Sequence, residues 1–212
     1  MRKIILSAVL LTGLAAQAFA DVSVSADVVS RYLWRNGPQG GGMHVQPSIS
    51  YSTGSIEIGT WVSQSMMGDQ SETDLYISID AGPVGITITD YTDAGKMGAD
   101  GSAPELFSVG DHLMELMVTY EAGDLSTAVA LDFLNGNIDT NASVWVELGY
   151  AMGQMGDADV SLSLGLGTEK YTSDNDPMLA LIGINASQGD YFASYQINPD
   201  TKTNNVMIGK SF

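Results

Sequence analysis

Ionisable residues in this chain recur on one parity of alternating stretches. Asp27, Arg31 and Arg35 oppose Val22, Val24, Ala26 and Val28. Asp74 and Asp80 oppose Leu75, Ile77 and Ile79; Glu115 opposes Met114, Leu116 and Val118; Glu147 opposes Val144, Val146 and Leu148. Gln46, Glu57, Trp61, Asp132 and Glu169 complete the set. Carboxylates and arginines gathered on one face require water or partners, because an unpaired buried charge is very costly. In water they set a field that favours cations; paired with one another they cement a filled interior.

Other chemistry has less to stand on. Two histidines exist, His44 and His112, the latter beside Asp111 and close to Glu115. No His-x-Ser spacing and no G-x-S-x-G elbow accompanies them. We therefore assign no catalytic residue and expect no enzyme, with His112 as a rim residue paired to a carboxylate. Asp93, Asp100 and Glu105, with "DNDP" at 174–177, do not have the spacing of a calcium loop. The glycines at 40–42 lack the strand–helix unit that a phosphate cradle needs. No metal or cofactor is expected.

The elements that position these residues read with a period of two almost throughout. Apolar residues alternate over 22–35, 43–53, 55–64, 72–82, 84–91, 111–121, 125–135, 141–152, 158–169, 177–187, 189–197 and 203–212. Their connections alternate strictly in length. Thr53-Gly54, Gly82-Pro83, Ala122–Asp124, 153–157 and Gln188-Gly189 are short; 36–42, 65–71, 92–110, 136–140, 170–176 and 198–202 are long. A sandwich has no reason to alternate so. A transmembrane barrel has, with tight turns at one end and long loops at the other. The fold class predicted is all-β: an antiparallel up-and-down transmembrane barrel of about 12 strands. The polar parity then lines the lumen.

Aromatic positions on the apolar parity support this. Tyr51, Tyr120, Tyr150, Tyr191 and Phe212 fall near the short turns, and Tyr32, Trp34 and Phe133 near the long loops, as two interfacial girdles would. Tyr91 and Tyr171 sit on the other parity, as lumen residues, loop anchors or bulge markers. "PMLALIGINAS" is apolar on both parities, with Leu179 and Leu181 facing inward if Ala180 and Ile182 face out; a bulge or a locally apolar lumen would account for it. Small inward residues such as Ser48, Ser50, Gly59, Ser163, Gly165 and Gly167 leave room, and Trp61, Trp145 and Tyr76 take it back. Twelve strands lie between filled eight-stranded barrels and open sixteen-stranded ones, so channel and plug both stay open. Loop 92–110 either folds inward as a constriction or stays outside.

Residues 1–20 have the basic start, apolar stretch and "AFA" ending of a cleaved signal peptide, which leaves 21–212 as the barrel domain. Losing Arg2 and Lys3 leaves 6 of the 8 basic residues against 25 acidic ones, 6 − 25 = −19. A charge so negative repels nucleic acid. The chain has no cysteine, which excludes disulfides, thiolate–zinc sites and cysteine nucleophiles.

The stretches "VVSRYLWRNG", "VQPSISYSTGSIEIGTWVSQS", "SETDLYISI", "ITITDYT" and "GDHLMELMVTY" resemble the TorF-type family of outer-membrane porins, known for a conserved domain of unassigned function. The resemblance covers residues 28 to about 120, with Asn36 placed between Arg35 and the glycine that follows directly in the family pattern. It implies an outer-membrane barrel of a Gram-negative bacterium with a transport role. It also implies that the terminal Phe212 is read by the barrel-assembly machinery, with Lys210 standing where an apolar residue is expected. The expected function is a porin-like channel for passive diffusion of small hydrophilic solutes, with a preference for cations. The alternative is a plugged structural barrel presenting acidic loops to a partner, and more remotely a barrel hydrolase.

Overall fold

The structure, a computed structural model, describes residues 21–35, 37–92, 113–135 and 142–212. The expected signal peptide, loop 92–110 from residue 93 on, all of 136–140, His112 and Asn36 lie outside the described residues.

Twelve antiparallel strands close into one barrel: β1 (Asp21–Val29), β4 (His44–Thr53), β5 (Ile56–Ser65), β6 (Ser71–Ala81), β7 (Val84–Thr92), β8 (Leu113–Ala122), β9 (Leu125–Asn135), β10 (Val144–Met155), β11 (Ala158–Glu169), β12 (Asn175–Gln188), β13 (Tyr191–Asn198) and β14 (Thr203–Ser211). Each pairs with its sequence neighbour, and β1 pairs with both β4 and β14, so the sheet has no open edge. A small hairpin, β2 (Leu33–Trp34) and β3 (Gly37–Pro38), forms a separate sheet. The twelve-stranded up-and-down topology read from alternation is therefore present.

Five two-residue turns join strands at one end, and every one begins with glycine: Gly54, Gly82, Gly123, Gly156 and Gly189, at φ from 57° to 70°. The residues after them do not have positive φ. That is the glycine-first pattern of the type II′ hairpin, whose twist matches the strands. The chain needs glycine there because a Cβ penalises that φ.

Alternation sorts the two faces as expected. Ile49, Ile77, Leu148, Leu164, Leu166, Ile182 and Ile208 are exposed on the outside of the barrel, whereas Ser63, Thr87, Ser126, Ser163, Asn185, Ser194 and Gln196 are buried within it. Tyr51, Tyr120, Tyr150, Tyr191 and Phe212 stand exposed toward the short-turn end, and Phe133 toward the other. Inward glycines are covered by rings from the next strand. Gly59 lies opposite Tyr76 and Gly209 opposite Phe192, and a Cβ at either would strike that ring; Gly167 lies opposite Trp145, where a Cβ would press on the ring at 3.3 Å and strike Tyr171 Cβ at 2.5 Å. The small residues and the bulky ones therefore form pairs, and neither leaves open space on its own.

Bulges explain the irregular stretch. Leu181 pairs with Gly165 and Leu179 with Leu166, which makes Ala180 an extra residue on β12. Leu181 points inward and is buried, but Leu179 falls opposite the outward Leu166, contrary to the inward position expected for it.

The larger correction concerns the first segment. It was expected to run from 22 to 35 as wall, with Tyr32 and Trp34 in the outer girdle. The strand ends at Val29, and the chain turns into the barrel. Tyr32 and Leu33 are buried, and Trp34 packs on the buried group Ala130, Trp145, Tyr171, Ala180 and Leu181. Wall residues cannot bury these rings, but a filled lumen can.

Candidate functional site: a segment folded into the lumen

Residues 30–43 leave the wall and return to it, and the β2–β3 hairpin forms their inner tip. The backbone can reverse within "GGG" because Gly40 and Gly42 take φ of 65° and 68°. A side chain at Gly40 would meet Gln70, and one at Gly42 would meet Met67, so the segment lies directly on the β5–β6 connection.

Polar clasps fix it there. The Gly41 N–H donates to Asp69 Oδ2 at 2.8 Å, and the Ser65 hydroxyl donates to Asp69 Oδ1 at 2.5 Å. The Ser65 bond, then the Gly41 amide, hold the Asp69 carboxyl below its ordinary range. Met66 N–H donates to Met43 O at 2.8 Å, and Tyr32 Oη–H to Glu72 Oε1 at 3.1 Å. Tyr32 also packs on Trp61 (centroids 5.3 Å) and on His44 (5.7 Å).

The centre is Arg35, only 4% exposed. Its Nη2 donates to Glu115 Oε2 at 2.5 Å, and its Nη1 donates to the Tyr171 hydroxyl. Three rings surround the guanidinium: Trp34 at 4.6 Å, Tyr171 at 5.0 Å and Trp145 at 5.9 Å. Tyr91 Oη–H donates to the other Glu115 oxygen at 3.1 Å. Lys170 and Tyr171 enter from the connection after β11; Lys170 Nζ lies 2.6 Å from Asp132 Oδ2, and the Tyr171 hydroxyl donates to the same oxygen at 3.4 Å. Trp145 Nε1–H donates to Glu147 Oε2 at 3.1 Å. Arg35 thus pairs with Glu115 and Lys170 with Asp132, and two further inward carboxylates, Asp74 and Glu147, are buried as well. Asp74 Oδ1, Asp132 Oδ1 and Glu147 Oε1 have no hydrogen-bond partner among the described residues.

The expected lining residues divide by depth. Gln46, Asp74, Glu115, Asp132 and Glu147 line the sealed half together with Arg35, and Gln46 Nε2 donates to Ser63 Oγ at 3.2 Å. Trp61 is half-buried under Tyr32. Toward the short turns the interior is more accessible. Asp27 and Glu57 are half-buried there and Asp80 is exposed; Ser52 and Tyr76 donate to Glu57 at 2.9 Å and 3.0 Å. Arg31 is exposed at the mouth, where its Nη1 donates to Asn205 Oδ1 at 2.8 Å, so it lies apart from Arg35. Glu169 closes β11 at a φ of 51° and begins the turn that sends Lys170 and Tyr171 inward.

Sequence reasoning missed Lys170 as a lumen group and placed Tyr32 and Trp34 on the wrong face. The usable sign was "LWRNGPQGGG": a β-pattern cannot continue through four glycines and a proline over six residues. His44 is fully buried, with Nδ1 3.0 Å from Ser63 Oγ, so it is a packing residue of the wall. Among the described residues no group of three acidic, histidine or cysteine side chains is placed to hold a metal ion.

No protein-family model matches the chain, and no curated protein matches it. Among solved structures, a chain from work described as "Unveiling the Mechanism Behind the in-meso Crystallization of Membrane Proteins" aligns over 89% of this chain and 82% of that chain, at 8% identity and a TM-score of 0.49. A likeness that slight carries no argument about what the barrel does.

Proposed function

We propose that this chain is an outer-membrane β-barrel with a porin-like role, passing small hydrophilic solutes and preferring cations, and that segment 30–43 is its gate. Resemblance to the TorF-type family supports the setting. The barrel supports it physically: an apolar band faces out, every backbone ladder is closed, and only such a sheet is stable in hydrocarbon. The observation that carries the reading is the acidic interior, where four buried carboxylates, Asp74, Glu115, Asp132 and Glu147, outnumber the two cations Arg35 and Lys170 that pair with two of them. When the segment withdraws, it takes a cation with it and leaves an interior that draws cations in. No catalytic role is assigned to any residue.

Planar-bilayer recording on refolded protein tests this. Wild type gives infrequent cation-selective steps, and loosening the segment increases them. No steps from any variant, or equal passage of anions and cations, would sink the reading.

One observation favours the alternative of a permanently plugged barrel: Arg35, Trp145 and Tyr171 are all buried, at 4%, 2% and 1% exposure. On that reading, variants at Arg35 lose stability and stay silent in the bilayer.

A further inference from the structure

We propose that the pocket holding the Arg35 guanidinium is a recognition site for guanidinium compounds, with Arg35 as the chain's own built-in occupant. The inference rests on the gated-channel reading, since an outside ligand reaches the pocket only when segment 30–43 withdraws.

Most of the pocket stays behind when Arg35 leaves. Trp34 belongs to the moving segment, but Trp145, Tyr171, Tyr91, Glu115, Asp132 and Glu147 belong to the wall and to the connection after β11. Trp145 and Tyr171 offer ring faces to a planar cation. Glu115 offers an oxygen that already accepts from one guanidinium nitrogen, and Tyr171 a hydroxyl that accepts from the other. That forked arrangement fits a guanidinium and not a compact ammonium. Asp132 and Glu147, 0% and 4% exposed, each keep one oxygen without a hydrogen-bond partner among the described residues. The pocket therefore has acceptor capacity that Arg35 does not use. A second donor group on the incoming molecule, as in a guanidinium compound with an amine tail, would satisfy it.

The geometry also gives the pocket a regulatory sense. The internal guanidinium is tethered and so acts at high effective concentration. A free guanidinium compound displaces it only at raised concentration, and by displacing it opens the gate for its own passage.

The test uses the full chain refolded in micelles. Arg35→Ala vacates the pocket, and methylguanidinium is the probe. Tryptophan fluorescence is expected to respond to methylguanidinium at about tenfold lower concentration than to methylammonium, and not to neutral methylurea. Adding Glu115→Gln to Arg35→Ala should abolish the response. An equal response to methylammonium, or none to methylguanidinium, overturns the inference. If Arg35→Ala does not refold, wild-type proteoliposomes decide: agmatine should enter about tenfold faster than 1,4-diaminobutane, and equal rates overturn it. The two claims fail separately. Potassium conductance without guanidinium preference removes the inference and leaves the channel; a guanidinium response from a protein that conducts nothing removes the gate and leaves the site.

Discussion

Replacing Arg35 by methionine measures how firmly the segment is held. Methionine keeps most of the aliphatic stem that packs between Trp34, Trp145 and Tyr171, so the change removes mainly the charge and its donors. Two hydrogen bonds are lost, one of them to a carboxylate at 2.5 Å. Each charge-assisted bond is worth about 1.5–3 kcal/mol. Glu115, 1% exposed, then keeps the Tyr91 hydroxyl as a donor and sits as a buried anion without its cation. Removing one member of such a pair costs about 3–5 kcal/mol, and we expect that loss. Urea unfolding in micelles, followed by tryptophan fluorescence, reads it as a lower midpoint at unchanged slope. Because the cost lies in the stranded carboxylate, adding Glu115→Gln should bring the protein back to within about 1–2 kcal/mol of the parent. A loss below about 1 kcal/mol for Arg35→Met, or a double variant no better than the single, would refute the buried-pair reasoning.

Other perturbations probe the wall and the clasp. Gly167→Val drives a side chain into Trp145 and Tyr171, and should cost about 1–3 kcal/mol and lower the temperature at which the compact form is lost on a denaturing gel; an unmoved transition would contradict the ring-over-glycine packing. Leu164→Arg places a charge on the outer face at mid-strand and should cost about 2–4 kcal/mol in bilayers, whereas an unaffected protein would contradict a membrane-facing band. Asp69, with its carboxyl held below the ordinary range of about 4, clasps segment 30–43 fully above that range and lets go as pH falls through its lowered value. Bilayer openings of wild type should therefore rise in acid, Asp69→Asn should show raised openings already at neutral pH, and identical pH profiles for the two would discard the clasp.

Much of the barrel was legible because each of its strands solves the same problem. Val160, Leu162, Leu164 and Leu166 have to face away from Ser161, Ser163, Gly165 and Gly167, and a period of two states this directly. The turns were legible because a glycine opens each one. The site was less so. Arg35, Asp74, Glu115, Asp132 and Glu147 were placed inward by parity; position along the strand set Asp80 rightly toward the short turns but put Glu147 there too, although it is buried beside Trp145, and it grouped the exposed Arg31 with Arg35. Parity also misplaced Tyr32 and Trp34, because it assumes that the chain stays in the wall. What bends 30–43 inward is the joint burial of Trp34, Arg35, Trp145 and Tyr171, contributed by stretches more than a hundred residues apart. Periodicity is a local property and does not report such partners. Tyr171 on the unexpected parity was the one local trace of them.

The account's central claim is that segment 30–43 closes a cation-passing lumen. Since the chain lacks cysteine, a Gly41→Cys/Asp69→Cys pair can tether the segment where the Gly41 amide now meets Asp69, 3.9 Å separating a Cβ on Gly41 from Asp69 Cγ. Planar-bilayer conductance of that variant, oxidised and then reduced in the same membrane, is the most direct test. The account predicts silence when oxidised and cation-selective steps on reduction, reversed by reoxidation. The same conductance in both states would contradict it.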